Sequence, residues 1–139
     1  AVQRYLQRVS GPLLDRIDMH IEVSPVKYAE LNQNLPSENS QEIRLRILAA
    51  RKIQQQRYQV FGLHANAHMS RKHVEQFCQL SHEGQQILQN AMKKLGLSAR
   101  AYERILKVAR TIADLDGSNM ISTAHLSEAI QYRNLDRSN

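Results

Sequence analysis

The chain of 139 residues has no tryptophan, two phenylalanines, three prolines and a single cysteine. One cysteine excludes an intramolecular disulfide and suits a reducing compartment. Beside Phe77 on a short helical pattern, Cys78 reads as a buried structural thiol. No stretch is apolar enough to span a bilayer and no signal-peptide pattern opens the chain, so a cytoplasmic protein without membrane contact is expected. His64, His68 and His73 have suggestive spacings, but they straddle a break at Met69-Ser70 and nothing supplies a fourth ligand. No metal site is expected. The scarcity of aromatics, with no Gly-aromatic motif, leaves no stacking platform of the kind that binds single-stranded nucleic acid. There is no G-x-x-x-x-G-K-[ST] loop to cradle α- and β-phosphates, and no hydrophobic strand ending in Asp-Glu to hold a magnesium ion. The chain alone is therefore not expected to bind or hydrolyse ATP.

What is present is basic. Nineteen Lys and Arg against thirteen Asp and Glu leave a formal charge of +6, which favours an anionic partner, either a nucleotide or a nucleic acid. With 42% hydrophobic residues, the length supports one domain, or one small domain with a piece of another. Val2, Tyr5, Leu6 and Val9 already follow helical spacing with no cap before them, so the sequence reads as a fragment that begins inside a helix.

The pattern along the chain predicts a helix–turn–strand unit followed by a helical bundle. Gly11-Pro12 marks a break and opens a short helical turn. Ile17, Met19, Ile21 and Val23 alternate with Asp18, His20 and Glu22, a period of two that predicts a strand over 17–23. Such a strand, lacking sheet neighbours, is expected to lie loose. Ser24-Pro25 can open a short helix through Leu31. Residues 32–40 have the polar, proline-containing makeup of a linker. Ser40 is expected to cap a long helix to about Tyr58, with Ile43, Ile47, Ala50 and Ile53 facing inward and Arg44, Arg51 and Lys52 outward. Ser70, Ser81, Ser98 and Thr123 are expected to cap four further helices, with Gly96 and Asp116-Gly117 as stops. The division that follows is 1–31, linker 32–40, a bundle of about five helices over 41–133, and a tail at 134–139.

Two places could carry chemistry. Arg16 falls on a rigid corner between an apolar turn and the alternating stretch, which is how a guanidinium is presented to a phosphate; a surface ion pair with Asp15 or Asp18 is the competing reading. On the helix opening at Ser98, Ala101, Ile105, Val108, Ile112 and Leu115 form an apolar line. Arg100, Arg104 and Lys107 lie opposite. Arg100 sits in the first turn, where free N–H groups and the helix dipole attract anions; a solvated basic face is the competing reading.

These segments resemble one family. Ser10 to Asp18 (SGPLLDRID), Leu97 to Leu115 (LSARAYERILKVARTIADL), Ile43 to Ile47 (IRLRI), Ala50 to Gln54 (ARKIQ) and His125 to Arg133 (HLSEAIQYR) read like the magnesium-chelatase-like AAA+ ATPases, in their competence-associated branch. The resemblance spans nearly the whole chain and implies a mainly α fold: the helical-bundle lid of an AAA+ ATPase, preceded by a helix–turn–strand remnant of its α/β core. It implies that Arg16 is an arginine finger acting in trans on a neighbouring subunit's ATP. It implies that Arg100 is the sensor-2 arginine, with Arg104 as runner-up. ATP and Mg2+ are implied for the full-length protein and none for this fragment. The implied partners are neighbouring subunits of a homo-oligomeric ring and DNA. A hexameric branch-migration helicase is the first functional expectation; the ATPase subunit of a magnesium chelatase, or an isolated interaction module, are the alternatives.

Overall fold

The computed structural model describes residues 2–33 and 36–133. Ala1, Asn34 and Leu35 of the expected linker, and the expected tail at 134–139, lie outside the described residues. Eight α-helices follow one another among those residues: α1 (Val2–Leu6), α2 (Gly11–Arg16), α3 (Tyr28–Leu31), α4 (Ser40–Tyr58), α5 (Arg71–Phe77), α6 (His82–Leu95), α7 (Ala99–Leu115) and α8 (Thr123–Gln131). Single 3-10 turns lie at Gln59–Phe61 and Asn66–His68. The mainly helical expectation holds.

Local chemistry fixes most boundaries. The Ser10, Ser81 and Ser98 hydroxyls accept the backbone N–H groups of Leu13, Gly84 and Ala101 at 3.1–3.2 Å, satisfying one donor each of three exposed helix starts. Two caps fall one residue earlier than expected. Asn39, not Ser40, opens α4 through a reciprocal box with Glu42, and Ser122, not Thr123, opens α8. The short helix expected from Ser24-Pro25 begins only after Lys27. Gly96 ends α6 in the left-handed region at φ 61°, a conformation that favours glycine.

α7 is the central post. It packs against α4, α5, α8, the Asn66–His68 turn and α2, while α6 packs on α8. Ala109 and Ala113 are fully buried in the core, and small side chains on the central helix let its neighbours approach closely. The buried face runs through Ala101, Ile105, Leu106, Ala109 and Ala113, so it is rotated from the expected line. Val108 and Ile112 are half-buried at its edge, and Leu115 is exposed.

The inward face of α4 also differs. Ile43 and Ile47 are exposed, and the buried positions are Ala50, Gln54 and Tyr58. All of residues 40–49 are exposed, because this half of α4 extends past the helices that enclose its other end. Apolar spacing identified the helix there without identifying what it touches.

Polar side chains join α4 to α7. The Asp114 carboxylate, with no side-chain exposure, accepts both guanidinium nitrogens of Arg57 at 2.9 and 2.5 Å. It also accepts Arg110 Nε at 3.2 Å and Asn66 Nδ2 at 3.0 Å. Those bonds hold the Arg57 guanidinium above its ordinary pKa against the opposing effect of burial. Asn66 extends the network: its Oδ1 accepts the Tyr58 hydroxyl at 2.5 Å, and its amide N–H donates to Gln54 at 3.0 Å. Arg110 donates to the carbonyls of Ser118 and Asn119, closing the loop after α7.

The expected strand over 17–23 does not form. No strand is present among the described residues, and 17–27 run without regular structure. A lone strand has no ladder to bond. Ile17, Met19, Ile21 and Val23 are all exposed, whereas His20 is buried. The segment is nonetheless tied down: the His20 N–H donates to the Tyr132 carbonyl at 2.5 Å, and Arg133 donates to the carbonyls of Leu14 and Ile17.

Two expectations follow. Asp114→Ala leaves Arg57 and Arg110 without their shared counter-charge and is expected to destabilise the chain by about 3–5 kcal/mol in urea denaturation. Burial pushes the Cys78 thiol up to about 12, so alkylating reagents are expected to spare it in the folded protein at mildly alkaline pH and to modify it after unfolding. That raised value contributes stability fully present below pH about 9 and lost as pH climbs toward about 12, since the unfolded thiol ionises first.

Candidate functional site

Arg16 is the last residue of α2. The helix is preorganised at its start by the Ser10 cap and by Pro12, whose fixed φ suits a first turn. Leu14 is buried on the bundle side, while Arg16 is exposed. The Arg16 side chain forms no hydrogen bond or ion pair with any described residue. Of the two carboxylates expected to compete for it, Asp18 is paired with Arg104 of α7, and Asp15 forms no ion pair with it among the described residues.

That pairing separates the two sensor candidates. Arg104 is drawn along the bundle surface toward the 17–23 segment, and its guanidinium is half-buried. Arg100, one turn earlier, is exposed and has no polar partner among the described residues. Lys107, one turn later, reaches the Ala67 carbonyl at 3.4 Å. Of the three basic residues on that face, Arg100 alone is without a bond to the rest of the described chain.

Between the 18–19 segment, α7 and α8 lies a cleft of about 750 Å³. Its lining mixes basic Arg104 and Lys107 with acidic Asp18, Asp116 and Glu128 and with apolar Met19 and Ile112. His125 sits at its edge. Its Nδ1 accepts the Ser122 amide at 3.0 Å and its Nε2 lies 2.8 Å from the Asp116 carboxylate. The first bond assigns the ring proton to Nε2, where it is directed at the carboxylate. The Tyr132 hydroxyl donates to Glu128 at 2.9 Å, and that bond raises its pKa. Neither Arg16 nor Arg100 lines this cleft.

Sequence reasoning missed three things here: the cleft, the Asp114 network and Arg133. For the network a signal existed. Arg110 and Asp114 are spaced i,i+4 on the side of α7 that also carries Ala109 and Ala113, and a charge pair at that spacing among small apolar residues marks a buried bridge. For Arg133 nothing beyond its place after an apolar helix was available. No helix among the described residues is long and apolar enough to cross a membrane, and no group of three or more His, Cys, Asp or Glu among them is placed to hold a metal ion.

Comparison with known proteins bears on this arrangement. Residues 37–133 match the family model described as magnesium chelatase, subunit ChlI C-terminal, and residues 1–31 match the model for magnesium chelatase, subunit ChlI. The chain is 44% identical over 137 residues to the competence protein ComM of Haemophilus influenzae, covering 98% of this chain and 26% of that protein. It is 42% identical over 135 residues to the YifB protein of Escherichia coli, covering 96% and 26%. A Mycobacterium tuberculosis protein is 29% identical over 131 residues, covering 94% and 26%. The chain thus spans about a quarter of the length of these relatives. With one family model accounting for residues 37–133 and a second for residues 1–31, the chain belongs to the magnesium-chelatase-like family.

Proposed function

We propose that this chain is the C-terminal part of a ring-forming AAA+ ATPase that works as a DNA motor, and that it supplies two arginines to ATP hydrolysis. Arg16 acts as an arginine finger toward a neighbouring subunit's nucleotide, and Arg100 as the sensor-2 arginine of the helical lid. The observation that carries this reading is the state of Arg16. It is an exposed guanidinium on a capped corner, without a partner among the described residues, while the nearby Asp18 is taken by Arg104. A surface arginine kept for an ion pair would be expected to have one. Arg100 is preferred to Arg104 for the same reason.

ATP with Mg2+ is the cofactor the family implies. Exposed guanidinium groups free of protein partners fit phosphate oxygens, which the planar fork matches two at a time. No described group is placed to hold the metal, so no residue of this chain is assigned to magnesium. When bound, ATP supplies the γ-phosphoryl group whose charge must be stabilised during transfer. Arg16 would contribute donors at that charge, a role worth about 10³–10⁵ in rate in phosphoryl-transfer enzymes. Arg100, anchored on the central helix of the bundle, would convert nucleotide state into rigid-body movement of the lid.

DNA is favoured as the other partner by the +6 charge and by identities of 42–44% with YifB and the competence protein ComM. The magnesium chelatase subunit named by the family models supports the second reading, metal insertion into a porphyrin. Assaying the full-length protein on branched DNA and on porphyrin with Mg2+ separates the two.

In that protein, Arg16→Ala is expected to leave nucleotide binding nearly unchanged and to cut hydrolysis by about 10³-fold or more. Adding subunits that cannot bind nucleotide but keep Arg16 is expected to restore part of the activity. Arg16→Lys is expected to fail as well, because a point charge does not reproduce the fork. Arg100→Ala is expected to lower DNA unwinding more than hydrolysis. Rings of Arg16→Ala that hydrolyse ATP at the wild-type rate would overturn the finger assignment.

A further inference from the structure

We propose that Arg133, which follows α8, is a positioning residue for Arg16: it makes the bundle and the α2 corner one mechanical unit. The inference rests on the finger reading of Arg16 given above. Arg133 is 1% exposed. Its Nη2 donates to the Leu14 carbonyl at 3.3 Å and its Nη1 donates to the Ile17 carbonyl. Those two carbonyls bracket Arg16 on either side.

The chemistry explains why a clamp is needed. A helix of six residues is too short to be stable alone, and its last carbonyls lack α-helical partners, the Leu14 carbonyl taking only the Ile17 N–H at 3.2 Å besides Arg133. A cation at that end both bonds them and complements the helix dipole. The Arg16 side chain has no bond to the described chain, so its direction depends on the backbone at 14–17. Arg133 holds that backbone. The neighbouring Tyr132 carbonyl takes the His20 N–H at 2.5 Å, which fixes the chain on the far side of the corner. Both contacts come from the end of α8, whose main packing partner is α7, the helix that carries Arg100. A rotation of the bundle set by Arg100 would therefore carry Arg16 with it. The exposed Asp18–Arg104 pair is a second tie, but exposed pairs are weak.

The test uses the full-length protein. Arg133→Lys keeps the charge but cannot span two carbonyls. It is expected to retain nucleotide affinity while kcat falls by about 10²-fold, the scale of a misplaced catalytic group. Arg16→Ala combined with Arg133→Lys is expected to be no slower than Arg16→Ala alone, since Arg133 acts only through Arg16. A double variant with multiplied losses, or an Arg133→Lys protein whose KM rises with kcat unchanged, would overturn the proposal. Wild-type turnover by Arg133→Lys beside inactive Arg16→Ala would sink the clamp and leave the finger standing. Wild-type turnover by Arg16→Ala would sink the finger and the clamp with it.

Amide exchange serves if Arg133→Lys does not fold, because it needs no substitution. On adding a non-hydrolysable ATP analogue to the full-length ring, protection at Leu14, Ile17 and His20 is expected to change in step with that at Arg133. A change confined to one of the two sets would contradict the coupling.

Discussion

A carboxylate with no access to solvent organises the bundle. Asp114 stands between α4 and α7 and receives two guanidinium groups and an amide, so each charge that folding removes from water meets a partner of opposite sign or a hydrogen-bond acceptor. An isolated carboxylate at that depth would cost several kcal/mol. The converging bonds offset that cost, and they also impose geometry. Arg57 can reach Asp114 only if α4 lies along α7 at one register, and Asn66 can join them only if the turn after α4 folds back. The apolar core sets how closely the helices approach. The network sets which way they face.

The buried Arg133 does for the N-terminal segment what Arg57 does for α4. The strap over 17–27 buries little apolar surface, with Ile21 and Val23 exposed at 68% and 86%, so hydrophobic burial cannot hold it. The exposed Arg104–Asp18 pair contributes about 0–1 kcal/mol by comparison with similar pairs. Charge-assisted bonds from a buried arginine contribute about 1.5–3 kcal/mol each. Arg133, nearly sealed from solvent, is thus the principal anchor. One feature works against it: the buried His20 ring has neither nitrogen hydrogen-bonded among the described residues, which costs about 1–3 kcal/mol for an unsatisfied group. The clamp outweighs a misfit three residues from its own contact at Ile17.

These anchors explain what could be read from the sequence and what could not. The starts of α5, α6 and α7 and the stops of α6 and α7 were legible because they depend on residues next to one another: serine at the start, glycine at or just after the stop. What failed depended on distant partners. Ile43 and Ile47 have the spacing of a buried face, yet no element lies opposite them. The alternation at 17–23 has the period of a strand, yet no ladder is there to receive it, and the residue that turns inward is the polar His20. Periodicity counts apolar residues, so it passed over Asp114, Arg110 and Arg133, although these determine the arrangement.

The candidate site follows the same division. Arg16 and Arg100 were legible as exposed arginines at helix ends, because position within a helix is local information. That Asp18 belongs to Arg104 was not, since 86 residues separate them. This long-range pairing shapes the functional argument more than either arginine considered alone. It takes Asp18, one of the two candidate carboxylates for Arg16, and occupies Arg104, while the side chains of Arg16 and Arg100 have no polar partner among the described residues. A single weak surface bridge, worth little as stability, thereby decides which cations on this face are available to an anion.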